Sequence, residues 1–455
     1  MLEDVNRALI EECEMYIVGH KIFVRLKDIP MYFSQKTKDS IRNRYSHSVE
    51  VGLGTEYMLN QISRSLGDDV NLNFYHIGKI IGMVHDIGHT AFSHDGEVIL
   101  DRVIGRESSF LDTPLRFNAN LNNFRRIEKY GLFELLPQDI QKYAYASLIK
   151  RESELIEYPE YIYLSDMLAE SIVLEEKYLA SKGIIIKNST QKTILCQTMD
   201  IADENRYRVT DIIDALNIYS KEKLQEILRR GIESEVRVKD VRKYVNLKVD
   251  TSIYKRDIHS DKMKIKDLLI GLLGQESHAK TEFQNCMNTL SMAFNRNFTL
   301  SGEGRVVPID HEIEKLRKDF HQIAATYIWG AKKIKNIKKP FNHYFETVAN
   351  YFMQETFNYD LIDSSTYKKE LMTLEKEKID KKLKRKKELL LLRNFLGGLT
   401  NLKTMDLYKK IKLHTFEERH NCKVDKSEKW MKGISIETFE KKLVLYSKRI
   451  LKETA

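Results

Sequence analysis

Five of the chain's 13 histidines fall between His47 and His94, and two of them belong to the string His85-Asp86-Ile87-Gly88-His89. That string follows an apolar run, FYHIGKIIGMV, so the His85-Asp86 pair stands at the end of a buried helix. A buried carboxylate is costly unless it is paired or bound to a metal. Imidazole nitrogen and carboxylate oxygen together suit a divalent ion. An isolated pair has a plainer explanation, a capping aspartate beside a core histidine. Two further features favour the metal. Arg44-Tyr45-Ser46-His47 opens an amphipathic helix upstream, and Asp203, Tyr207 and Asp211 recur downstream at i, i+4 and i+8. Each step of four turns a helix by about 400°, so the three project from one face with a drift of about 40° per step. An exposed acidic stripe would also fit, and Glu204, Arg206 and Arg208 show that part of this helix meets solvent or ligand.

These residues need helices to position them. The run SHSVEVGLGTEYMLNQISRSL places Val49, Leu53, Tyr57, Met58 and Ile62 on one stripe. In the HD helix, Gly78 and Gly82 allow close packing. Residues 190–230 read as one long helix. Residues 233–257 alternate and are rich in Val and Tyr, the pattern of strands or a hairpin. Residues 262–300 and 311–360 read as helices separated by SGEGRVVP, and residues 366–455 as helical and basic. A break is expected around Pro159. His76 reads as a packing histidine, Trp329 and Trp430 as core anchors, and residues 327–340 as a surface helix end.

The chain has 455 residues, 42% hydrophobic and 31% charged, which excludes wholesale disorder. Six prolines and 20 glycines are few and favour long helices. The fold class expected is all-α with a few short strands and a helical C-terminal lobe. The expected domains are a segment 1–40, a core 41–230 and a basic lobe 231–455. No apolar run is long enough to cross a membrane, the N-terminus lacks an export pattern, and Cys13, Cys196, Cys286 and Cys422 show no CxxC spacing. A cytoplasmic protein without disulfides is expected. Lys and Arg number 75 against 66 acids, a net charge of +9, which suggests a polyanionic partner. Residues 368–393 hold eleven bases and five acids. They read as a solvated helix, or alternatively as an electrostatic track for nucleic acid or triphosphate.

Six segments in order resemble one family, the HD-domain deoxynucleoside triphosphate triphosphohydrolases of the dGTPase type. RYSHSVEV is similar to that family's R-x-T-H-S-x-E-V, and HDIGHTAFSHDGE to its HD-[LI]-G-H-P-P-F-G-H-x-G-E. ANLNNFRRI is similar to G-N-A-Q-x-x-R, and ASLIK to the segment ending in Lys-Tyr-Pro. IADENRYRVTDIIDAL resembles the A-D-D-I-A-Y-x-x-x-D-[LI]-E-D-A helix, and NFLGGLTNLKTMDLYKKI the D-Y-I-x-G-M-T-D stretch. The segments span about residues 44 to 411. The chain departs from the pattern at Thr90-Ala91 for the two prolines, Arg151 for the tyrosine, Glu204 for an aspartate and Thr210 for a histidine. GHKIFVRLKDIP, with Arg25, stands where R-R-L-x-x-K-T-Q-V is usual.

The resemblance implies an HD-domain fold and four metal ligands, His47, His85, Asp86 and Asp203. It implies a catalytic pair, His94 oriented by Glu97, with His89 near the phosphates. Lys150 and Tyr207 would contact substrate, Asp211 would lie close to the triphosphate and sugar, and Asn122 and Arg125 would shape the pocket floor. The implied reaction cleaves a dNTP, with dGTP the leading candidate, to deoxynucleoside and inorganic triphosphate. Mn²⁺ or Mg²⁺ is the expected cofactor, with Fe²⁺ or Zn²⁺ also compatible with the ligand set. A homo-oligomer, tetramer or hexamer, and a nucleotide or single-stranded DNA effector are implied too, with no membrane partner. Two other functions fit less of the pattern. One is an HD phosphohydrolase of NMP, cyclic nucleotide or (p)ppGpp; the other is a nucleic-acid-binding regulatory protein with a degenerate HD site.

Overall fold

The computed structural model describes residues 7–31, 42–66, 75–158, 161–185, 190–247, 260–275, 279–362, 364–420 and 435–453. Among them the fold is mainly helical, and the named strands form one two-stranded sheet, in agreement with an all-α class carrying short strands. No helix of the described residues is long and apolar enough to cross a membrane. Cys13, Cys196 and Cys286 are buried free thiols; Cys422 lies outside the described residues, as does Trp430. The chain forms two compact units, and each draws on separated stretches of sequence: residues 1–88 with 120–337, and residues 89–119 with 338–455.

The centre of the first unit is a pair of antiparallel helices, Arg44–Leu66 and Tyr75–Val84. Their contact is set by glycine. A Cβ on Gly82 would fall 2.6 Å from Gly52 Cα, and one on Gly52 would fall 2.7 Å from the Lys79 carbonyl oxygen. Only hydrogen at both positions lets the backbones meet. The buried face of the first helix is therefore His47, Val51, Gly52, Thr55, Met58, Leu59 and Ile62. This corrects the expected stripe: Leu53 is 49% exposed, because small residues rather than large apolar ones line a close helix contact.

A third helix, Ile194–Ala215, packs across both, with Ala202 against Gly54 and Leu195 against Gly78. Its N-terminus is capped by Thr193, which accepts from the Cys196 N–H, and by the buried Glu175, which accepts from the Ile194 N–H. The single helix expected over 190–230 is in fact two. Leu216–Ser220 breaks it, and Ser220 caps a second helix, Lys221–Gly231, by accepting from the Lys223 N–H. The strands expected over 233–257 are not formed by its described part, which contains the short helix Val238–Arg242; residues 248–257 lie outside the described residues. The sheet is instead Phe298–Leu300 paired antiparallel with Val306–Pro308, Thr299 facing Val307. The turn between them, SGEGR, holds Gly304 at φ +70°, which favours glycine. Helix Tyr163–Ser181 follows Glu152–Glu157, with Pro159 outside the described residues.

The second unit has its own core of Phe92, Leu100, Ile104, Phe345, Phe352, Leu392, Leu396 and Tyr408 among others. The basic stretch 368–393 is two helices there, Ser365–Lys376 and Lys381–Gly397, separated where Asp380 accepts from the Leu383 N–H. It is not wholly solvated: Leu371, Leu374, Leu389, Leu392 and Arg393 are buried.

A candidate metal centre

The close helix pair brings His47, near the start of one helix, beside His85, just past the end of the other. The crossing helix delivers Asp203. One ligand atom from each of His47, His85 and Asp203 lies within 4.8 Å of the other two. His47 Nε2 is 3.0 Å from Asp203 Oδ1, and His85 Nε2 is 3.6 Å from the same oxygen. Asp86 joins them, its Oδ1 3.4 Å from His85 Nε2 and its Oδ2 3.8 Å from His47 Nε2.

Ligands about 2.1 Å from one ion stand about 3.0 Å apart at right angles and about 3.4 Å apart at the tetrahedral angle. His47, His85 and Asp203 could therefore hold a single divalent cation with little rearrangement, and Asp86 lies beside them. The tautomer fits as well. His85 Nδ1 is 2.6 Å from the Gly82 carbonyl oxygen and must donate to it, so in the neutral ring Nε2 carries the lone pair. That Nε2 is buried with no hydrogen-bond partner of its own, an arrangement a metal would relieve.

Charge around the centre is arranged on the same terms. Burial alone would push the Asp203 carboxyl up, but Lys150 and then His85 outweigh it and hold the group well below the usual carboxylate range. Lys150 Nζ lies 3.2 Å from Asp203 Oδ2 and 3.7 Å from Asp200 Oδ1. Burial disfavours its charge, yet Asp203, Asp200 and Asp86 raise it above the ordinary lysine value. His85 is pulled down by burial and raised on balance by Asp86 and Asp203. Lys150 also lines a cavity of about 570 Å³ together with Arg151, Lys192, Gln197 and Asp200.

The turn carrying His85-Asp86 is clamped by its surroundings. Asn123 accepts from the Gly88 N–H at 2.5 Å and donates to the His85 carbonyl; Asn122 donates to the Gly88 carbonyl at 2.7 Å. Arg25 donates to the Ile87 carbonyl at 2.9 Å, and Arg44, itself buried, pairs with Asp86 Oδ2. Asn122 thus holds backbone here. Arg125 reaches Asn122 Oδ1 at 3.5 Å and the Tyr161 hydroxyl at 3.3 Å.

Further along the Asp203 helix, Tyr207 packs against Trp329 with ring centroids 5.6 Å apart. Asp211 is buried, and its Oδ2 accepts from the Trp329 indole N–H at 2.6 Å. Trp329 closes a π-helical turn, Ala324–Trp329, and is partly buried against the core, so its role is wider than that of an anchor. His76 is partly buried and lies 3.3 Å from Glu56.

The second unit holds the other predicted residues together. His89, His94 and Glu97 each place one ligand atom within 4.8 Å of the others, and His94 Nδ1 lies 3.3 Å from Glu97 Oε2.

Sequence reasoning missed three residues. Arg44 was visible three positions before His47, and Asn123 one position after Asn122, but neither spacing reveals a partner 35 or more residues away. Trp329 carried no local signal, since its contact to Asp211 spans 118 residues.

Comparison with protein-family models finds no match for this chain. Curated proteins do match in part. The chain is 28% identical over 182 residues to "Deoxyguanosinetriphosphate triphosphohydrolase-like protein 2" of Vibrio cholerae, covering 39% of each chain. It is 33% identical over 118 residues to a "Deoxyguanosinetriphosphate triphosphohydrolase-like protein" of Clostridium tetani, covering 25% of this chain and 29% of the relative. A Mesorhizobium japonicum protein with the same name as the Vibrio one is 26% identical over 223 residues, 44% of each chain. The matched stretches thus span less than half the length of these relatives, and they support a dGTPase-like HD family.

Proposed function

We propose that this chain, as a dGTPase-like HD protein, is a metal-dependent triphosphohydrolase that cleaves a deoxynucleoside triphosphate, dGTP foremost, to deoxynucleoside and inorganic triphosphate. The observation that carries the reading is the convergence of His47, His85 and Asp203 at spacings suited to one ion, with Asp86 beside His85. Bound there, a divalent ion such as Mn²⁺ or Mg²⁺ supplies Lewis-acid polarisation of a phosphoryl oxygen.

The chain's own residues supply the rest. Lys150, kept cationic by Asp203 and Asp200, neutralises phosphate charge beside the ligands. Tyr207 offers an aromatic face one helical turn from Asp203 for the nucleoside, and Asp211 a carboxylate one turn beyond. Asn122 and Asn123 keep the HD turn rigid, so the ligands pay little reorganisation when substrate arrives. The leaving 5′-oxygen has a high pKa and needs a proton. His94, oriented by Glu97 at 3.3 Å, is the donor in this account, and His89 its neighbour.

Product analysis tests the reading. Purified protein is incubated with each dNTP and Mn²⁺ or Mg²⁺, and the products are resolved by anion exchange. Equal amounts of deoxynucleoside and intact triphosphate are expected. Orthophosphate or pyrophosphate in their place would exclude this reaction.

A further inference from the structure

His89, His94 and Glu97 stand at the mouth of a turn that is held in an unusual conformation. Phe92 and Ser93 both adopt left-handed backbone, at φ +59° and +61°. Two consecutive non-glycine residues in that region are disfavoured and persist only where surroundings impose them. Those surroundings belong to the same compact unit. Asn401 Oδ1 accepts from the Phe92 N–H at 2.8 Å, and the Thr90 hydroxyl donates to the Leu396 carbonyl at 2.9 Å. Gly96 completes the fit, since a Cβ there would fall 1.9 Å from the Ala91 carbonyl oxygen.

The turn folds the chain back so that the His89 and His94 rings meet edge to face, with centroids 4.9 Å apart. Glu97 is pinned as well. Its Oε1 accepts from the Ala119 N–H at 2.7 Å, which leaves Oε2 toward His94. One ligand atom from each of the three lies within 4.8 Å of the others. His89 is buried, whereas the His94 side chain is 73% exposed and can close the remaining distance by rotating about its own χ angles.

We propose that His89, His94 and Glu97 form a second cation site, for a borderline transition-metal ion such as Zn²⁺ or Co²⁺. Two imidazole nitrogens with one carboxylate oxygen suit such ions. An ion in this site takes the nitrogen lone pair with which His94 would hold a proton. Metal-bound His94 cannot then serve as the imidazolium donor assigned to it above, and Zn²⁺ becomes an inhibitor of a Mg²⁺-supported reaction. The binding claim stands independently of the hydrolase reading; only the inhibitory consequence rests on it.

Equilibrium dialysis of the full chain against Zn²⁺, with metal analysis, tests the site. Glu97→Gln keeps the oxygen that accepts from Ala119 but loses the anionic ligand, and its melting curve reports folding separately. His94→Ala is the second variant, on an exposed position. Wild type is expected to bind two ions per chain, Asp203→Ala one, and both Glu97→Gln and His94→Ala one. A single wild-type ion lost in Glu97→Gln but kept in Asp203→Ala would support this site while removing the His47–His85–Asp203 centre. An ion count unchanged by Glu97→Gln and His94→Ala would overturn the proposal. Asp203→Ala also isolates the dissociation constant of the second site. That constant is expected to match the midpoint of Zn²⁺ inhibition of wild-type turnover within about threefold. A mismatch beyond about tenfold would remove the inhibitory role.

Discussion

Gly82 meets Gly52 with no room for a side chain: a Cβ on Gly82 would fall 2.6 Å from Gly52 Cα and 2.7 Å from its nitrogen. The same Gly82 offers the carbonyl that orients His85. Helix spacing and ligand tautomer thus depend on one residue. Gly82→Ala is expected to cost about 1–3 kcal/mol by overpacking. It should also weaken divalent-metal binding, because His47 and His85 are pushed apart. Urea denaturation with and without metal measures both effects, and a variant as stable and as metal-competent as wild type would show that the contact is not tight.

Arg44 and Asp86 are a buried ion pair, 3% and 6% exposed at their side chains. Removing the cation strands a buried carboxylate, which costs about 3–5 kcal/mol. Arg44→Met is therefore expected to destabilise the metal-free protein by that order and to regain part of the loss when metal is added. Thermal melts across a Mn²⁺ titration read this out. A loss that metal does not reduce would mean that Asp86 is not a ligand.

Glu175 caps the Asp203 helix from inside the core and is 0% exposed. Burial pushes its carboxyl from the ordinary 4.5 up to about 7, against hydrogen bonds from Tyr143 and the Ile194 N–H that pull it down. Between these two values the folded chain holds a proton that the unfolded chain has lost, so stability falls as pH rises through the window and levels off above about pH 7. The span is on the order of 3 kcal/mol. Glu175→Gln should flatten this part of the stability profile and be more stable than wild type at pH 8. Chemical denaturation at pH 5, 6, 7 and 8 decides; an unchanged slope in the variant would contradict the assignment.

Trp329 holds Asp211 through its indole N–H at 2.6 Å. Trp329→Phe preserves the ring against Tyr207 but leaves a buried carboxylate one donor short, at a cost of about 1–3 kcal/mol. The Michaelis constant for dNTP is expected to rise several-fold with a smaller change in turnover. Equal losses in Trp329→Phe and Trp329→Ala would point to packing of the ring rather than to its N–H.

The sequence carried the centre more clearly than the fold around it. His85-Asp86 and the Asp203-Tyr207-Asp211 spacing could be read because chemistry restricts where such residues sit, and helical periodicity relates the last three directly. Arg44, Asn123 and Trp329 could not, because each acts on a residue distant in the chain. Element type was readable for the same reason that boundaries were not. Long apolar periodicity marks a helix, but the break at Leu216–Ser220 depends on one serine cap. The face of the His47 helix was misjudged because glycine and threonine, not large side chains, make its closest contact. The sheet at 298–308 escaped because each strand has only three residues, too few for alternation to register.

The most direct test of the account is a crystal grown with Mn²⁺ and measured at the manganese absorption edge. The account predicts an anomalous peak within about 2.2 Å of His47 Nε2, His85 Nε2, one Asp86 oxygen and one Asp203 oxygen. Those four side chains without a peak among them, at Mn²⁺ concentrations that saturate the protein in solution, would contradict it.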